Sequence, residues 1–217
     1  KGSYTGSKNV KFSIKQANAK LEFKSTKMTK KFASGSFTNS FKTKKTDGKI
    51  SYSSNNTKVA SVDKNKGQIK IVGVGKATIT ATAKAGTNYK SGKASFILTV
   101  TKANNTIKAD NITKNMSKKS QTVDIKASVK DKAKLTYSSN NKSVKVSSKG
   151  KVTIAAKFSG KATITIKAAS TARYNSTSKK ITVTVKKPSQ SEIKMDIFKK
   201  KSVRQWLERM CYVSGFK

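Results

Sequence analysis

Apolar and polar residues alternate over several short stretches of the chain. The clearest are 152–158, 162–168 and 181–185, in which every second residue is apolar and the residues between are mostly lysine or threonine. A period of two is the spacing of side chains on one face of a β-strand, so each stretch predicts a half-buried strand. Ser-Asn-Asn, Lys-Gly and Ser-Gly sequences separate the stretches, as turns do. The pattern predicts an all-β chain built from antiparallel β-sandwiches. It leaves residues 27–45 open between an edge hairpin and a longer loop.

The pattern occurs twice. The sequence Ser51-Tyr52-Ser53-Ser54-Asn55-Asn56 recurs 85 residues later as Thr136-Tyr137-Ser138-Ser139-Asn140-Asn141, and Gly75-Lys76-Ala77-Thr78-Ile79-Thr80 recurs at the same offset from Gly160 to Thr165. Repetition at a fixed spacing indicates tandem copies of one structural unit. The predicted division is residues 1–14 as the closing strand of a preceding repeat, 15–100 as module one, 101–185 as module two, and 186–217 as a basic tail. Tyr52 and Tyr137 should therefore occupy equivalent places near the start of a central strand, with their rings against the core. Ile79 should match Ile164, and Val100 should match Val185.

Residues 1–14 are similar to the segment 86–98 of module one, which is why they are predicted to be a closing strand. Two hypotheses follow for them. The segment closes the last sheet of a preceding repeat in a longer array, or it pairs with an open sheet edge of a neighbouring molecule.

The tail differs in composition from the repeats. It follows Pro188, the single proline, and holds the single Trp and Cys. Ser202 and Gln205 have the spacing of a capping box, and a short amphipathic helix is predicted from about residue 202 to residue 210. Its apolar face gives the candidate assembly contacts Val203, Trp206, Leu207 and Met210. The helix is too short to be stable alone, so docking on protein, docking on a lipid surface and a disordered tail all stay open.

The composition argues against metal and enzyme chemistry. The chain of 217 residues contains no His, one Cys and nine carboxylates that do not cluster in the sequence. Histidine is the commonest general base and the commonest metal ligand in proteins. We therefore predict no catalytic residue, no metal site and no cofactor. No apolar run reaches the length of about 18 residues that a transmembrane helix needs.

Lysine dominates the charge. Lys and Arg number 49 against nine Asp and Glu, for a formal net charge of +40, and Arg173, Arg204 and Arg209 are the three arginines. Two interpretations stand side by side: a solvated outer face that keeps the sandwiches soluble, or attraction to an anionic partner such as teichoic acid, acidic polysaccharide or DNA. The candidate polyanion contacts are Lys151, Lys157, Lys161 and Lys167, which alternate outward along the predicted strands. Sequence-specific recognition of nucleic acid is not expected, because base readout favours arginine over lysine.

The repeats resemble the group 2 bacterial immunoglobulin-like domain, the repeat of invasin- and intimin-type adhesins and of clostridial surface proteins. The resemblance is carried by an aromatic residue before Ser-Ser, a pair of valines, Gly-x-Val or Gly-x-Ile, and Gly-x-Ala-x-Ile. In module one these are Tyr52-Ser53-Ser54, Val59 and Val62, Gly67-Gln68-Ile69, and Gly75-Lys76-Ala77-Thr78-Ile79. The resemblance implies tandem immunoglobulin-like sandwiches and an extracellular location at the bacterial cell surface. It also implies a structural or adhesive role without catalysis. Neighbouring repeats or copies of the same chain are the expected protein partners, and the lysine content adds anionic cell-wall or matrix polymers as candidates.

Overall fold

The computed structural model describes residue 2, residues 5–189 and residues 200–205. The chain divides into two compact units. The first contains the residues up to Ala103 together with Ala172–Tyr174, and the second contains Asn104–Thr171 and the chain from Asn175 onward.

The first unit is made of eight strands. They are β1 (Lys20–Phe23), β2 (Lys27–Lys31), β3 (Phe41–Lys45), β4 (Ile50–Ser54), β5 (Ala60–Val62), β6 (Ile69–Ile71), β7 (Gly75–Ala83) and β8 (Gly92–Thr101). One sheet has the order β2-β8-β7-β4, and the pairs β1-β3 and β5-β6 form smaller sheets. The segment 27–45, which the sequence left open, supplies β2 to the large sheet and β3 to a different one. It is therefore not a hairpin.

The second unit repeats the large sheet. Its strands are β9 (Ile112–Asn115), β10 (Gln121–Asp124), β11 (Leu135–Ser139), β12 (Val144–Val146), β13 (Lys151–Ile154), β14 (Gly160–Ala168) and β15 (Thr177–Lys186), with a 3-10 turn at Lys130–Lys132. The four-stranded sheet has the order β11-β14-β15-β9 and the facing sheet has the order β10-β13-β12. In each unit one edge strand is parallel to its neighbour, β2 to β8 and β9 to β15, while the other pairings are antiparallel.

The predicted register is confirmed, but the prediction that the tyrosines lie on central strands was wrong, because β4 and β11 are edge strands of their sheets. Tyr52 pairs with Ala81 across β4 and β7, and Tyr137 pairs with Ile166 across β11 and β14, at the same offset of 85. Both rings pack against the core of their unit. The further pairs Ile79–Phe96 and Gly75–Val100 of the first unit correspond to Ile164–Ile181 and Gly160–Val185 of the second.

The core of the second unit lies between two sheets, and the core of the first is formed by the large sheet and the two smaller ones. In the second unit Val152 and Ile154 of β13 face Ile164 and Ile166 of β14, and all four are at most 1% exposed. Burial of each such side chain contributes about 1.5–3 kcal/mol to the free energy of folding. In the first unit Phe23 stacks on Phe41 with ring centroids 4.8 Å apart and meets the edge of Phe96 at 4.9 Å. The all-β tandem sandwich is therefore the fold of this chain.

One predicted strand is shorter than the alternating pattern implies. β13 ends at Ile154, and residues 155–159 form a turn in which Ala156 is exposed and Lys157 has a φ of 59°. The Phe158 amide donates to the Ala155 carbonyl at 3.3 Å, and the Lys157 amide donates to Ser117 at 2.8 Å. The chain passes here from the smaller sheet to β14 of the large sheet, which begins at Gly160, so the turn interrupts a pattern that continues in the sequence.

The two ends of the chain add little regular structure to the described part. Residues 5–14 form no strand, and residues 200–205 are helical. The assignment of 1–14 as a closing strand stays a prediction, as do the boundaries of the modules and the tail.

Candidate functional site

The repeated Ser-Ser-Asn-Asn sequence has a structural role in both units. The Asn55 amide donates to the Thr78 carbonyl at 3.1 Å, while Oδ1 of Asn55 accepts a hydrogen bond from the Thr78 amide at 2.7 Å. Asn140 and Thr163 repeat both contacts at 3.1 Å and 2.7 Å. The asparagine side chain thus takes the place of a strand carbonyl just after β4 and β11 have ended. The motif therefore stabilises the fold, and the exposed faces of the sheets are the candidates for binding.

The outward side of each four-stranded sheet carries lysine and hydroxyl side chains; we call it the lysine–hydroxyl face. Alternation along the strands sets its membership, because the inward residues of β7, β8, β14 and β15 are buried. In the second unit the face comprises Thr113 and Asn115 of β9, Thr136 and Ser138 of β11, Lys161, Thr163, Thr165 and Lys167 of β14, and Ser178, Lys180, Thr182, Thr184 and Lys186 of β15. On the corresponding face of the first unit the lysines are Lys27, Lys31, Lys76 and Lys93, of which Lys76 is the equivalent of Lys161.

No residue of the strands that form these two large sheets is Asp or Glu. The two acids that lie on strands, Glu22 of β1 and Asp124 of β10, belong to the other sheets. Glu22 Oε1 lies 3.5 Å from Lys42 Nζ, and both side chains are largely exposed. The positive charge of each large sheet is therefore not offset by a carboxylate on the same sheet.

Hydroxyl groups separate the lysines on the lysine–hydroxyl face. In the second unit Lys161 pairs with Thr184 across the two strands, and Lys167 pairs with Ser178. Directly opposed like charges on neighbouring strands would be destabilising, and this register avoids them. The face is a set of spaced ammonium groups among neutral hydrogen-bonding groups.

The structure divides the four candidate lysines. Lys161 and Lys167 lie on the lysine–hydroxyl face together with Lys180 and Lys186 of β15, which the sequence analysis did not single out. The same alternation identifies these two, since Lys180 directly precedes the buried Ile181 and Lys186 directly follows the buried Val185.

The remaining two lysines lie elsewhere. Lys151 belongs to the other sheet, where it pairs with Asp124. Lys157 lies in the turn after β13, with a φ of 59°. The prediction that all four alternate outward along strands was therefore wrong for Lys157, because β13 ends before it.

Two of the described carboxylates are held by turns. Hydrogen bonds from the backbone of Asn88 lower the pKa of Asp47, and backbone donors at Lys66 and Asn65 lower the pKa of Asp63. The Asp63 contacts measure 2.7 Å to Lys66 and 2.9 Å to Asn65. Both side chains thus stabilise loops. Among the residues that the structure describes, no three of His, Cys, Asp and Glu come together as a metal site requires.

The candidate assembly residues are described only in part. Val203 is 56% exposed, whereas Trp206, Leu207 and Met210 lie outside the described residues. At the other end of the chain Val10, Phe12 and Ile14 are 72%, 82% and 87% exposed. The described helical residues include no segment long and apolar enough to span a bilayer.

Comparison with solved structures gives matches of low identity. The chain is similar to the Drosophila N-cadherin domains EC1-3, with 15% identity, 77% of this chain and 68% of that one covered, and a TM-score of 0.34. It is similar to domains 4-9 of the surface layer protein SbsC, with 19% identity, coverage of 71% of this chain, and a TM-score of 0.34. This chain covers 25% of the length of the SbsC structure. The titin domains z1z2 match at 10% identity over 81% of this chain and 100% of that one, with a TM-score of 0.39.

No curated protein matches the chain. A family model does: residues 19–94, which include β1 to β7, match the bacterial Ig-like domain (group 2). Over these residues, the first repeat of this chain is therefore similar to the bacterial Ig-like domain (group 2).

Proposed function

We propose that the chain is a non-catalytic structural or adhesive repeat module of an extracellular bacterial surface protein. The observation that carries the proposal is the match of residues 19–94 to the family model, together with the second unit that repeats the same strand register. In this role the sandwiches act as rigid spacers or as adhesive surfaces, and neighbouring repeats or copies of the chain are the expected protein partners. The family match supports a surface or adhesion-type module.

Antibodies raised against the chain test the location. They should label intact, unpermeabilised cells of the source bacterium, and brief treatment of the cells with protease should remove the signal. An antibody against a cytosolic protein serves as the control for cell integrity. Labelling that requires permeabilised cells would contradict the proposal.

A second candidate function is sequence-independent binding of anionic polymers, and the carboxylate-free lysine–hydroxyl faces favour it. Spread positive charge binds a polyanion by displacing counterions, so affinity falls steeply as salt rises. With about six phosphates engaged, going from 50 to 200 mM salt should weaken binding roughly a thousandfold. Titration of the full chain against two labelled DNA duplexes of unrelated sequence should give the same salt slope for both. Binding that is unchanged in high salt, or strong preference for one duplex, would contradict it.

A further inference from the structure

A groove of about 610 Å³ opens on the second unit at one end of the large sheet. Six of its lining residues form two adjacent rows across three neighbouring segments. The first row is Thr136, Lys167 and Ser178, paired across β11, β14 and β15. The second row lies just beyond it and consists of Lys134, Ala169 and Ser176, with the Ala169 amide donating to the Lys134 carbonyl at 3.0 Å. The size is within the range of small-ligand sites.

Alanine makes the depression. Ala169 lies between Lys134 and Ser176, and its methyl group leaves space that a longer side chain would occupy. The equivalent position of the first unit is Lys84, whose amide makes the same bond, 3.1 Å long, to Lys49. In the first unit, Lys93 stands at the position that Ser178 occupies in the second unit. Two small residues of the second unit thus replace two lysines of the first.

The lining supplies hydrogen-bond donors and positive charge, with no carboxylate among it. Each lysine ammonium has three N–H donors and each serine or threonine hydroxyl has one. Lys134 and Lys167 are exposed, and neither ammonium makes an ion pair or hydrogen bond within the described part of the chain. Strands lie about 4.8 Å apart and rise about 3.4 Å per residue, which separates the two lysine Cα atoms by about 8 Å. Two flexible lysine side chains at that spacing can reach one ligand.

The side chains that line the groove indicate which class of ligand it can bind. No aromatic ring lines the groove, so the stacking platform on which sugars or bases usually rest is missing from it. Planar carboxylates are best matched by the fork of arginine, whereas lysine binds phosphate as a point charge. A tetrahedral oxyanion accepts hydrogen bonds in several directions and suits two ammonium groups surrounded by hydroxyls.

We propose that this groove binds a phosphate or sulfate group, using Lys134 and Lys167 as its charged ligands. The proposal rests on the second candidate function and deepens it, because it replaces attraction to a whole face by one local site on one of the two units. The phosphate or sulfate group can be a free ion or part of a polymer, and the two sources are separable by experiment.

The experiment uses the full chain and two probes, inorganic phosphate and a short linear polyphosphate, at constant ionic strength. Amide chemical shifts followed by NMR should move saturably at Lys134, Lys167, Ala169 and Ser178. The double variant Lys134→Gln/Lys167→Gln should bind phosphate at least about tenfold more weakly, because it loses the charge-assisted hydrogen bonds of both ammonium groups. The matched control is Lys49→Gln/Lys84→Gln, which removes the same charge from the equivalent place in the first unit and should leave phosphate binding unchanged.

Filling the groove without changing the charge is the second test. Ala169→Met should weaken phosphate binding, although it leaves the charge of the sheet intact. Shifts spread over lysines of both units, equal losses in the two double variants, or a filled groove that still binds would each overturn the proposed site. If polyphosphate binding is lost equally in both double variants, the groove is not the site, but the second candidate function still stands. If polyphosphate does not bind at all, both the groove site and the second candidate function are contradicted. Tighter binding of polyphosphate than of phosphate identifies a polymer as the source.

Discussion

Gly67 and Gly150 show how single residues hold the aromatic side of each core. Both have left-handed backbone, with φ of +66° and +82°. A Cβ atom on Gly67 would lie 2.8 Å from the ring of Tyr52, and one on Gly150 would lie 3.0 Å from the ring of Tyr137. Burial raises the pKa of both tyrosines, which fits rings packed against the core. The glycine of the Gly-x-Ile and Gly-x-Val elements thus allows a tyrosine ring to pack directly against the backbone.

Replacement of Gly67 by Ala should destabilise the first unit more than the same change at Gly35. Gly35 has a similar φ of +80° but no heavy atom within 4 Å of its virtual Cβ. Gly35→Ala should therefore lower the free energy of unfolding by about 1 kcal/mol, because a residue with a Cβ atom is strained in left-handed backbone. Gly67→Ala should lower it by a further amount of about 1–3 kcal/mol, because the new Cβ atom also clashes with the ring of Tyr52. Denaturant unfolding of the two variants measures the difference. Equal losses of stability would show that the contact with Tyr52 is unimportant.

Among the strands, β14 and β15 were predictable and the edges were not. Ala162, Ile164, Ile166, Ile181, Val183 and Val185 are buried as their alternation predicts. The parallel partners β2 and β9 could not be deduced, because their pairing joins residues far apart in the chain and leaves no local pattern. The turn at 155–159 was missed for the opposite reason, since Ala156 and Phe158 continue the period of two beyond the end of β13. On the surface, the sequence identified Lys161 and Lys167, but the groove needed the strand register to bring Lys134 and Ala169 together.

At the element scale, the asparagine that follows each of the edge strands β4 and β11 should contribute to stability. Asn140→Ala removes the 2.7 Å hydrogen bond from the Thr163 amide and should lower the free energy of unfolding of the second unit by about 0.5–1.5 kcal/mol. For a domain of this size that is a decrease in Tm of several degrees. Scanning calorimetry of the full chain should show the shift.

The exposed Thr57 of the first unit provides a control, because its side chain makes no hydrogen bond within the described part of the chain. Its replacement by Ala should have little effect on stability. A Tm for Asn140→Ala equal to that of Thr57→Ala would contradict the role of the asparagine.

At the scale of the whole molecule, the exposed residues Val10, Phe12 and Ile14 and the high net charge have opposite effects on association between molecules. Alternating apolar residues with free backbone groups favour addition to a sheet edge, whereas a charge of +40 opposes association. We expect association through residues 10–14 that grows with salt, as screening weakens the repulsion. Light scattering across a range of salt and protein concentration should detect it, and the triple variant Val10→Ser/Phe12→Ser/Ile14→Ser should stay monomeric. A wild-type chain that is monomeric at high salt would argue against pairing between molecules.

The lysine–hydroxyl face also determines how the protein meets proteases that cleave after lysine. Lys161, Lys167 and Lys180 lie within β14 and β15, whose backbones are paired along their whole length, so cleavage beside them must wait until the sheet opens. Lys8, Lys11 and Lys15 lie outside any strand, and Lys157 lies in a turn. Trypsin should therefore trim the first fifteen residues and nick the turn after β13 long before it degrades the sandwiches. A chain with a cleavage site every few residues is in this way protected by the same strands that display those sites.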